Sequence, residues 1–148
     1  MAVKSKPDAY RNVTPYMIVE GAERLINFLK AVFGAEETQR LAGPDGKIGH
    51  AEVRIGDSIV MLADAGPQSS AFPAMLHIYV EDCDATYGKA LAAGGLSLRE
   101  PVNEFYGDRI SAVSDSFGNQ FWIATHVEDV SPEEMGRRAQ EVATAGQT

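Results

Sequence analysis

The chain has 148 residues, of which 45% are hydrophobic and 23% are charged. This balance is typical of a folded globular protein and argues against a disordered chain. The 21 acidic residues outnumber the 13 basic ones and give a net charge of −8, which argues against binding to nucleic acid or to an anionic membrane surface. The single cysteine, Cys83, cannot form an intrachain disulfide, and no stretch has the pattern of a secretory signal or a transmembrane helix. We therefore expect a cytoplasmic protein.

The first half of the chain predicts one strand, one helix and three further strands. Residues 13–19 are apolar and partly β-branched and predict a strand in which Pro15, without an N–H, can pair on one side only. Residues 21–33 have apolar side chains at helical spacing and predict an amphipathic helix that ends at Gly34. The alternating and β-branched stretches that follow predict strands at 36–41, 48–55 and 58–62.

The second half repeats this order after a stretch rich in Gly, Pro, Ser and Ala. It predicts a strand at 75–80, a helix at 82–93 and strands at 96–102, 109–114 and 120–125. A last helix is predicted after Ser131, where Pro132 and Glu134 are typical of a capped helix start.

The two halves also resemble each other in sequence. Residues 16–21 match 77–82 at an offset of about 61, and a Gly-Asp or Gly-Asn turn precedes the last strand of each half. The predicted organisation is a flexible arm (1–10), a first βαβββ module (11–64), a linker (65–74), a second βαβββ module (75–127) and a C-terminal helix and tail (128–148).

Several motifs in these modules resemble one known family. They are INFLKAVFGAE in the first helix, GPDGKIGHAEVRIGDSIVMLAD, LHIYVED, YGDR and the closing DSFGNQFWI. Together with the repeat, they resemble the vicinal oxygen chelate superfamily of glyoxalases, bleomycin resistance proteins and extradiol dioxygenases, and most of all its PhnB-like branch. The resemblance implies an α+β fold in which two βαβββ modules form a curled mixed sheet around a cleft, with a C-terminal helix added. It also implies a homodimer.

The metal-dependent members of this family hold a divalent ion with His and Glu from fixed strand positions. Transferred one at a time, these positions fall on Thr14, Met61, Met75 and Trp122. A thioether is a soft ligand and an indole is no ligand, so this set does not suit Mg²⁺, Mn²⁺, Ni²⁺ or Zn²⁺. The resemblance and these four residues together predict that the usual metal site is absent and that the protein has no metal cofactor.

The residues expected on the cleft faces of the strands predict an organic ligand instead. Aromatic and thioether side chains would form a polarizable lining suited to a planar or partly aromatic molecule: Tyr16, Met61, Met75, Tyr79 and Trp122. The alternative for each of them is that it fills the core. An acidic protein would also attract a cationic ligand.

Three polar residues are the candidates for catalysis. Alternation places His50 and Glu52 on the face turned to the cleft or to solvent, and His77 on the cleft face of the second module. His50 and His77 are also candidate ligand-binding residues, because an imidazole can donate or accept a hydrogen bond. The three groups could instead act as acid and base, could form a displaced two-His, one-carboxylate metal site, or could be hydrogen-bonded structural groups.

A further motif, Tyr106-Gly107-Asp108-Arg109, lies between two strands of the second module. Tyr106 and Arg109 are candidate ligand-binding residues, because Arg109 could clamp a carboxylate or phosphate. The alternative is that Arg109 pairs with Asp108 or Glu104 at the surface. His126 is expected at the surface.

The function predicted from these residues is binding of a small, partly aromatic organic molecule in a metal-free cleft, without nucleic acid or membrane partners. The alternative is a lyase, isomerase or dioxygenase that uses His50, Glu52 and His77 with a metal or as acid–base groups. A third interpretation is a dimeric interaction module with a vestigial cleft.

Overall fold

The computed structural model describes residues 2–146, which fold into two βαβββ modules and a C-terminal helix. The first module consists of β1 (Tyr16–Val19), α1 (Ala22–Phe33), β2 (Glu36–Ala42), β3 (Ile48–Ile55) and β4 (Ser58–Asp64). The second consists of β5 (Met75–Tyr79), α2 (Cys83–Ala92), β6 (Leu96–Asn103), β7 (Asp108–Ser114) and β8 (Gln120–His126), and α3 (Pro132–Ala145) follows it. The predicted α+β class, with two modules of equal element order and a last helix, is confirmed.

Each module has one four-stranded mixed sheet, and the two sheets share one topology. The strand order is β1-β4-β3-β2 in the first and β5-β8-β7-β6 in the second. In each sheet the first and last strands of the module pair in parallel, and the other pairs are antiparallel. The helix between the first two strands supplies the crossover that this arrangement requires.

The first strand is shorter than predicted because of its proline. β1 begins at Tyr16 rather than at residue 13. Pro15 has no N–H to donate, but its carbonyl still accepts from the backbone N–H of Met61 at 2.9 Å. Pro15 therefore marks the point where the parallel ladder of β1 and β4 begins.

The core of the first module lies between its sheet and α1. The apolar stripe of the helix is buried, and so are alternate residues of the strands: Leu25, Ile26, Leu29, Met17, Val19, Val53 and Leu62. Each fully buried side chain of this size contributes about 1.5–3 kcal/mol relative to an exposed one. The helix ends as predicted at Gly34, which has φ 67°.

The start of α1 is capped from a distant strand. Its N-cap residue, Gly21, has no side chain, and the first helical N–H, that of Ala22, donates to Asp64 Oδ1 at 2.8 Å. The other oxygen of Asp64 accepts from the backbone N–H of Ile48 at 2.7 Å. One carboxylate at the end of β4 therefore fixes both the helix start and the beginning of β3.

The helices of the second half begin with side-chain caps. Asp82 accepts from the backbone N–H of Ala85 at 3.1 Å, and Ser131 accepts from that of Glu134 at 3.1 Å. Glu134 forms ion pairs with Arg137 and Arg138. None of the described residues of α3 is buried.

The only cysteine is buried at the start of α2. The Sγ of Cys83 lies 3.4 Å from Ser111 Oγ and 3.3 Å from the carbonyl oxygen of Ile123. A thiol enclosed in this way acts as a small core residue.

The residues divide into two compact units. The first contains the first module up to Ala74 together with Phe117–Asn119, and the second contains Met75–Ser116 and the residues from Gln120 onward. Within the first unit, Asn119 accepts from the backbone N–H of Ala74 at 3.0 Å, and the Arg24 guanidinium lies 4.5 Å from the Phe117 ring centroid. In the part of the chain that the structure describes, no helix is long and apolar enough to cross a membrane.

Candidate functional site

Four polar side chains form a continuous hydrogen-bonded chain in the first module. His50 and Glu52 point to the same face of β3 because they are two residues apart, and Nε2 of His50 lies 2.7 Å from Oε2 of Glu52. The Nδ1 of His50 lies 2.9 Å from the hydroxyl of Tyr16 on β1. At the other end, the hydroxyl of Tyr10 donates to Oε1 of Glu52. We call this chain of Tyr16, His50, Glu52 and Tyr10 the relay.

Glu52 is the buried centre of the relay. Only 4% of the residue is exposed, although alternation alone predicts that it faces the cleft or solvent. Burial by itself would raise the pKa of Glu52, but the hydrogen bonds from Tyr10 and His50 outweigh it and lower this pKa below its usual value. Glu52 is therefore an ionised carboxylate at neutral pH, and it raises the pKa of Tyr10.

The ionised state of Glu52 sets the direction of the other hydrogen bonds. A carboxylate only accepts, so Nε2 of neutral His50 carries the proton and donates it to Glu52. Nδ1 of the same ring then has only a lone pair, and the hydroxyl of Tyr16 donates to it. The oxygen of Tyr16 keeps its acceptor lone pairs for another group.

Tyr16 also lines an open, solvent-accessible depression of about 530 Å³ on the first unit, which we call the first-module pocket. Its lining comes from β1, the end of β4, one residue of β3 and the loop after β4: Tyr16, Ile18, Gly49, Ala63, Asp64, Gly66, Pro67, Gln68 and Ser69. This volume lies in the range of small-molecule sites. The lining contains one carboxylate and no basic residue, and both oxygens of that carboxylate already accept backbone N–H groups.

Met61 lies on β4, the strand between those that carry Tyr16 and Glu52. In the sheet register it lies opposite Tyr16 on one side and opposite Glu52 on the other. Its half-buried thioether therefore belongs to the same row of the sheet as these two polar residues.

Four of the predicted ligand-binding residues of the second module lie on one face of its sheet. Met75, His77 and Tyr79 alternate along β5 with their side chains exposed, and Trp122 is the register partner of His77. The indole N–H of Trp122 donates to Gln120 at 3.0 Å, and the rings of His77 and Tyr79 meet edge-on at 5.3 Å. Leu76 and Ile78, which alternate with them on β5, are half-buried.

A second polar cluster surrounds a buried aspartate in the same module. Asp108 is 5% exposed and accepts from the hydroxyl of Tyr79 at 2.6 Å and from Nδ1 of His126 at 2.8 Å. The other nitrogen of His126 lies 2.7 Å from Asp129. Burial would raise the pKa of Asp108, but the hydrogen bonds from Tyr79 and His126 lower it on balance. The hydrogen bonds to Asp108 and then Asp129 raise the pKa of His126.

The side chains of Arg109 and Tyr106 form their contacts with other residues than those of this cluster. The guanidinium of Arg109 forms two hydrogen bonds to Asp84 on α2, at 2.6 and 3.0 Å, and a third to Asn103. Its carboxylate partner is thus neither Asp108 nor Glu104, the two partners suggested by proximity in sequence. Tyr106 packs edge-on against Phe105, with ring centroids 5.2 Å apart.

The residues at the family's metal-ligand positions do not fit a divalent ion. Thr14, Met61, Met75 and Trp122 offer no imidazole or carboxylate. Among residues 2–146, no group of three or more His, Cys, Asp or Glu side chains has an arrangement that could hold a metal. Of the three residues considered for a displaced metal site, His50 and Glu52 lie in the first unit and His77 lies in the second.

Sequence reasoning missed three residues of these clusters. Tyr10 lies in an arm without helix or strand, where no periodicity indicates a contact with residue 52. Asp108 was considered only as a partner for Arg109, and His126 only as a surface residue. The order of the strands does indicate one of these contacts. Asp108 begins β7 and His126 ends β8, and because these neighbouring strands are antiparallel, the two residues lie opposite each other in the sheet.

Comparison with known proteins agrees with this fold. The family model of the Glyoxalase/Bleomycin resistance protein/Dioxygenase superfamily matches residues 12–123. An uncharacterized protein of Mycobacterium tuberculosis (strain H37Rv) is 32% identical over 146 residues, which cover 91% of this chain and 84% of that protein. An uncharacterized protein of Mycobacterium bovis is also 32% identical over 146 residues, which cover 91% of this chain and 93% of that protein.

Solved structures show the same architecture at lower identity. TioX from Micromonospora sp. ML1 superposes with a TM-score of 0.66 at 21% identity, over 79% of this chain and 99% of TioX. A PhnB protein from Bacillus cereus superposes with a TM-score of 0.62 at 20% identity, over 78% and 99% of the two chains. At this identity the likeness is one of fold. The repeated modules, their shared topology and the match over 12–123 show that this chain belongs to the glyoxalase/bleomycin resistance protein/dioxygenase superfamily.

Proposed function

We propose that this protein binds a small, partly aromatic organic molecule in the first-module pocket, without a metal ion. The observation that carries the proposal is the pocket itself, about 530 Å³ in volume and lined by the ring of Tyr16. The aliphatic side chains of Ile18, Ala63 and Pro67 offer apolar contact, and Gln68 and Ser69 offer neutral polar groups. Such a mixture suits an organic body with a few polar substituents.

The chemistry of the family's ligand positions supports the metal-free part of the proposal. Methionine, threonine and tryptophan side chains replace the His and Glu that would hold a hard or borderline divalent ion. A ligand would then be held by stacking, apolar contact and hydrogen bonds instead of by chelation.

The experiment is a ligand-binding screen on protein purified without chelator, with its metal content measured by elemental analysis. We expect less than about a tenth of an ion per chain, no thermal shift on adding divalent metals, and a thermal shift with some aromatic fragments. Tyr16→Ala should weaken fragment binding at least about tenfold, because it removes the ring from the lining. Tyr87→Ala is the matched control, because it removes a tyrosine in the other module whose hydroxyl donates a hydrogen bond to Ser97. It should leave fragment binding unchanged. About one ion per chain, or fragment binding indifferent to Tyr16→Ala, would contradict the proposal.

A second candidate function is acid–base catalysis without a metal, as in a lyase or isomerase. The contact that favours it is the 2.7 Å hydrogen bond between His50 and Glu52, one step from a pocket residue. His50→Gln should then abolish turnover of a substrate found by screening, whereas His77→Gln, on the exposed face of β5, should leave it within about twofold. An equal loss of turnover in both variants would contradict the assignment of His50 as the catalytic residue.

A further inference from the structure

We infer that the first-module pocket is a proton-transfer site for a neutral organic weak acid, in which Tyr16 takes the proton of the ligand and passes its own to His50. The inference rests on the proposed function, because the ligand must first occupy the pocket. It adds the class of the ligand and the identity of the residue that reacts with it.

The direction of the hydrogen bonds selects a ligand that donates. The Tyr16 proton is directed to Nδ1 of His50 at 2.9 Å, so the phenol oxygen can only accept from the pocket side. The other charged group in the lining, Asp64, also only accepts. A ligand with an O–H or N–H group satisfies the Tyr16 oxygen, whereas a ligand that arrives already deprotonated has no proton to give to it. After the transfer, the hydroxyl of Tyr16 carries the former ligand proton and can donate it to the ligand anion.

The remainder of the relay can store the proton that the ligand gives up. When the ligand's O–H or N–H bond breaks, its proton bonds to the Tyr16 oxygen, and the former Tyr16 proton bonds to Nδ1 of His50. The products are a ligand anion, a neutral tyrosine and an imidazolium, so charge and protons balance. Glu52 lies 2.7 Å from the other nitrogen of His50 and stabilises the imidazolium by its negative charge.

This chemistry sets the acidity of the ligand. The ligand must be acidic enough to give its proton to an imidazole, so its acidity must be closer to that of an imidazolium than to that of an alcohol. Activated phenols, imides and enols of this acidity qualify, and simple alcohols and ammonium groups do not. The cationic ligand suggested by the net charge of −8 is thereby disfavoured at this pocket.

Glu52 and Tyr10 act as positioning residues. Glu52 fixes the tautomer of His50, and Tyr10 supplies a second hydrogen bond that keeps Glu52 ionised despite its burial. Tyr10 belongs to the segment before β1, so this segment contributes to the site although it has no helix or strand.

The experiment uses two chemical probes that differ by one methyl group, 4-nitrophenol and 4-nitroanisole. Nitrophenol is a weak acid whose anion absorbs at longer wavelength, and nitroanisole has the same ring but no O–H. We expect both probes to bind the full-length protein, and the ratio of anion to neutral nitrophenol to be at least about tenfold higher when bound than when free at the same pH. Tyr16→Phe and His50→Gln should each abolish this increase while nitroanisole still binds, and Tyr87→Phe should change neither result.

The outcomes separate the two proposals. Binding of both probes without extra nitrophenol anion, or extra anion that persists in Tyr16→Phe, would overturn the relay and leave the pocket proposal standing. Failure of both probes to bind would contradict the pocket as a site for small aromatic molecules, and the relay with it.

A measurement on the unaltered protein removes any dependence on how the variants fold. Proton–nitrogen correlation spectra distinguish the two neutral tautomers of histidine. The relay requires that neutral His50 carries its proton on Nε2, and a proton on Nδ1 would overturn it, because Tyr16 could then not donate to His50.

Discussion

Each module contains one buried carboxylate that accepts hydrogen bonds from a tyrosine and from a histidine. In the first module it is Glu52, with Tyr10 and His50, and in the second it is Asp108, with Tyr79 and His126. Among residues 2–146, neither carboxylate has a lysine or arginine partner, so neutral donors and a titratable ring replace the usual ion pair. Removal of one donor would leave an ionised group with fewer hydrogen bonds than it accepts in the intact protein.

These two carboxylates predict a loss of stability in acid. The pKa of each is lower in the folded protein than its ordinary value, so the stability that they contribute is present above the unfolded pKa, near 4, and is lost as the pH falls through the lower folded pKa. We expect the urea midpoint to fall more steeply below pH 4 in the wild type than in the double variant Glu52→Gln/Asp108→Asn. If the urea midpoints of the two proteins fall equally steeply with pH, these carboxylates are not the source of the acid sensitivity.

His126 predicts a pH dependence of the opposite sign. The hydrogen bonds to Asp108 and Asp129 raise its pKa, so the stability from this contact is complete below the unfolded pKa near 6.5 and is lost as the pH rises through the folded pKa. Nuclear magnetic resonance titration should place the midpoint of His126 above 6.5 in the wild type. Asp108→Asn should lower this midpoint more than Asp129→Asn, and the reverse order would be inconsistent with the contacts described.

Two connections between helices, strands and loops each depend on one residue. Asp64 joins the start of α1 to the start of β3, and Gly107 joins the turn before β7 to the chain after β8. The carbonyl of Gly107 accepts from the backbone N–H groups of Val127 and Glu128 at 2.9 and 3.0 Å. Both residues therefore hold together segments that are distant in sequence.

Loss of the Asp64 carboxylate should destabilise the first module. Asp64→Ala removes the cap of α1 and leaves two backbone N–H groups without their acceptor, which costs about 1–2 kcal/mol for each cap of this kind. Chemical denaturation measures the change in the free energy of unfolding. Asp8→Ala, which removes only an exposed ion pair with Lys4, should change it by less than about 0.5 kcal/mol. An equally small effect of Asp64→Ala would show that the cap is not needed.

Substitution of Gly107 should be far more costly than substitution of another turn glycine. Gly107 has φ +104°, and an added Cβ would lie 2.1 Å from the carbonyl oxygen of Glu128. Gly107→Ala should therefore cost about 1–3 kcal/mol from backbone strain, with a further cost from displacing residues 127–128. Gly46→Ala is the control, because Gly46 has φ +81° but nothing lies within 4 Å of its added Cβ. If the two variants unfold at the same denaturant concentration, the close approach of Gly107 to Glu128 does not affect the free energy of unfolding.

At the scale of the whole molecule, the sequence predicts local and repeated features well and contacts across the chain poorly. The helix stripe of α1 and the stop at Gly34 follow from spacing, and the element order of both modules could be predicted from the repeated pattern of strands and helices. The alternation predicted along β3 fails at Glu52, which is buried like its neighbours Ala51 and Val53. The bonds that build the candidate sites join residues such as 10 and 52, or 79 and 108, whose separation no periodicity encodes. The pairing of Arg109 with Asp84 was missed for the same reason, since it requires knowing how α2 lies on the sheet.

The central claim is that a small organic molecule binds in the first-module pocket. The most direct measurement is to follow the backbone amide resonances of the protein during titration with an aromatic fragment identified by the thermal-shift screen. We expect the largest shifts on residues of the pocket lining, such as Gly49, Ala63, Gly66 and Ser69. Shifts confined to β5 and to Trp122, with the pocket residues unchanged, would contradict it and would move the site to the exposed aromatic face of the second module.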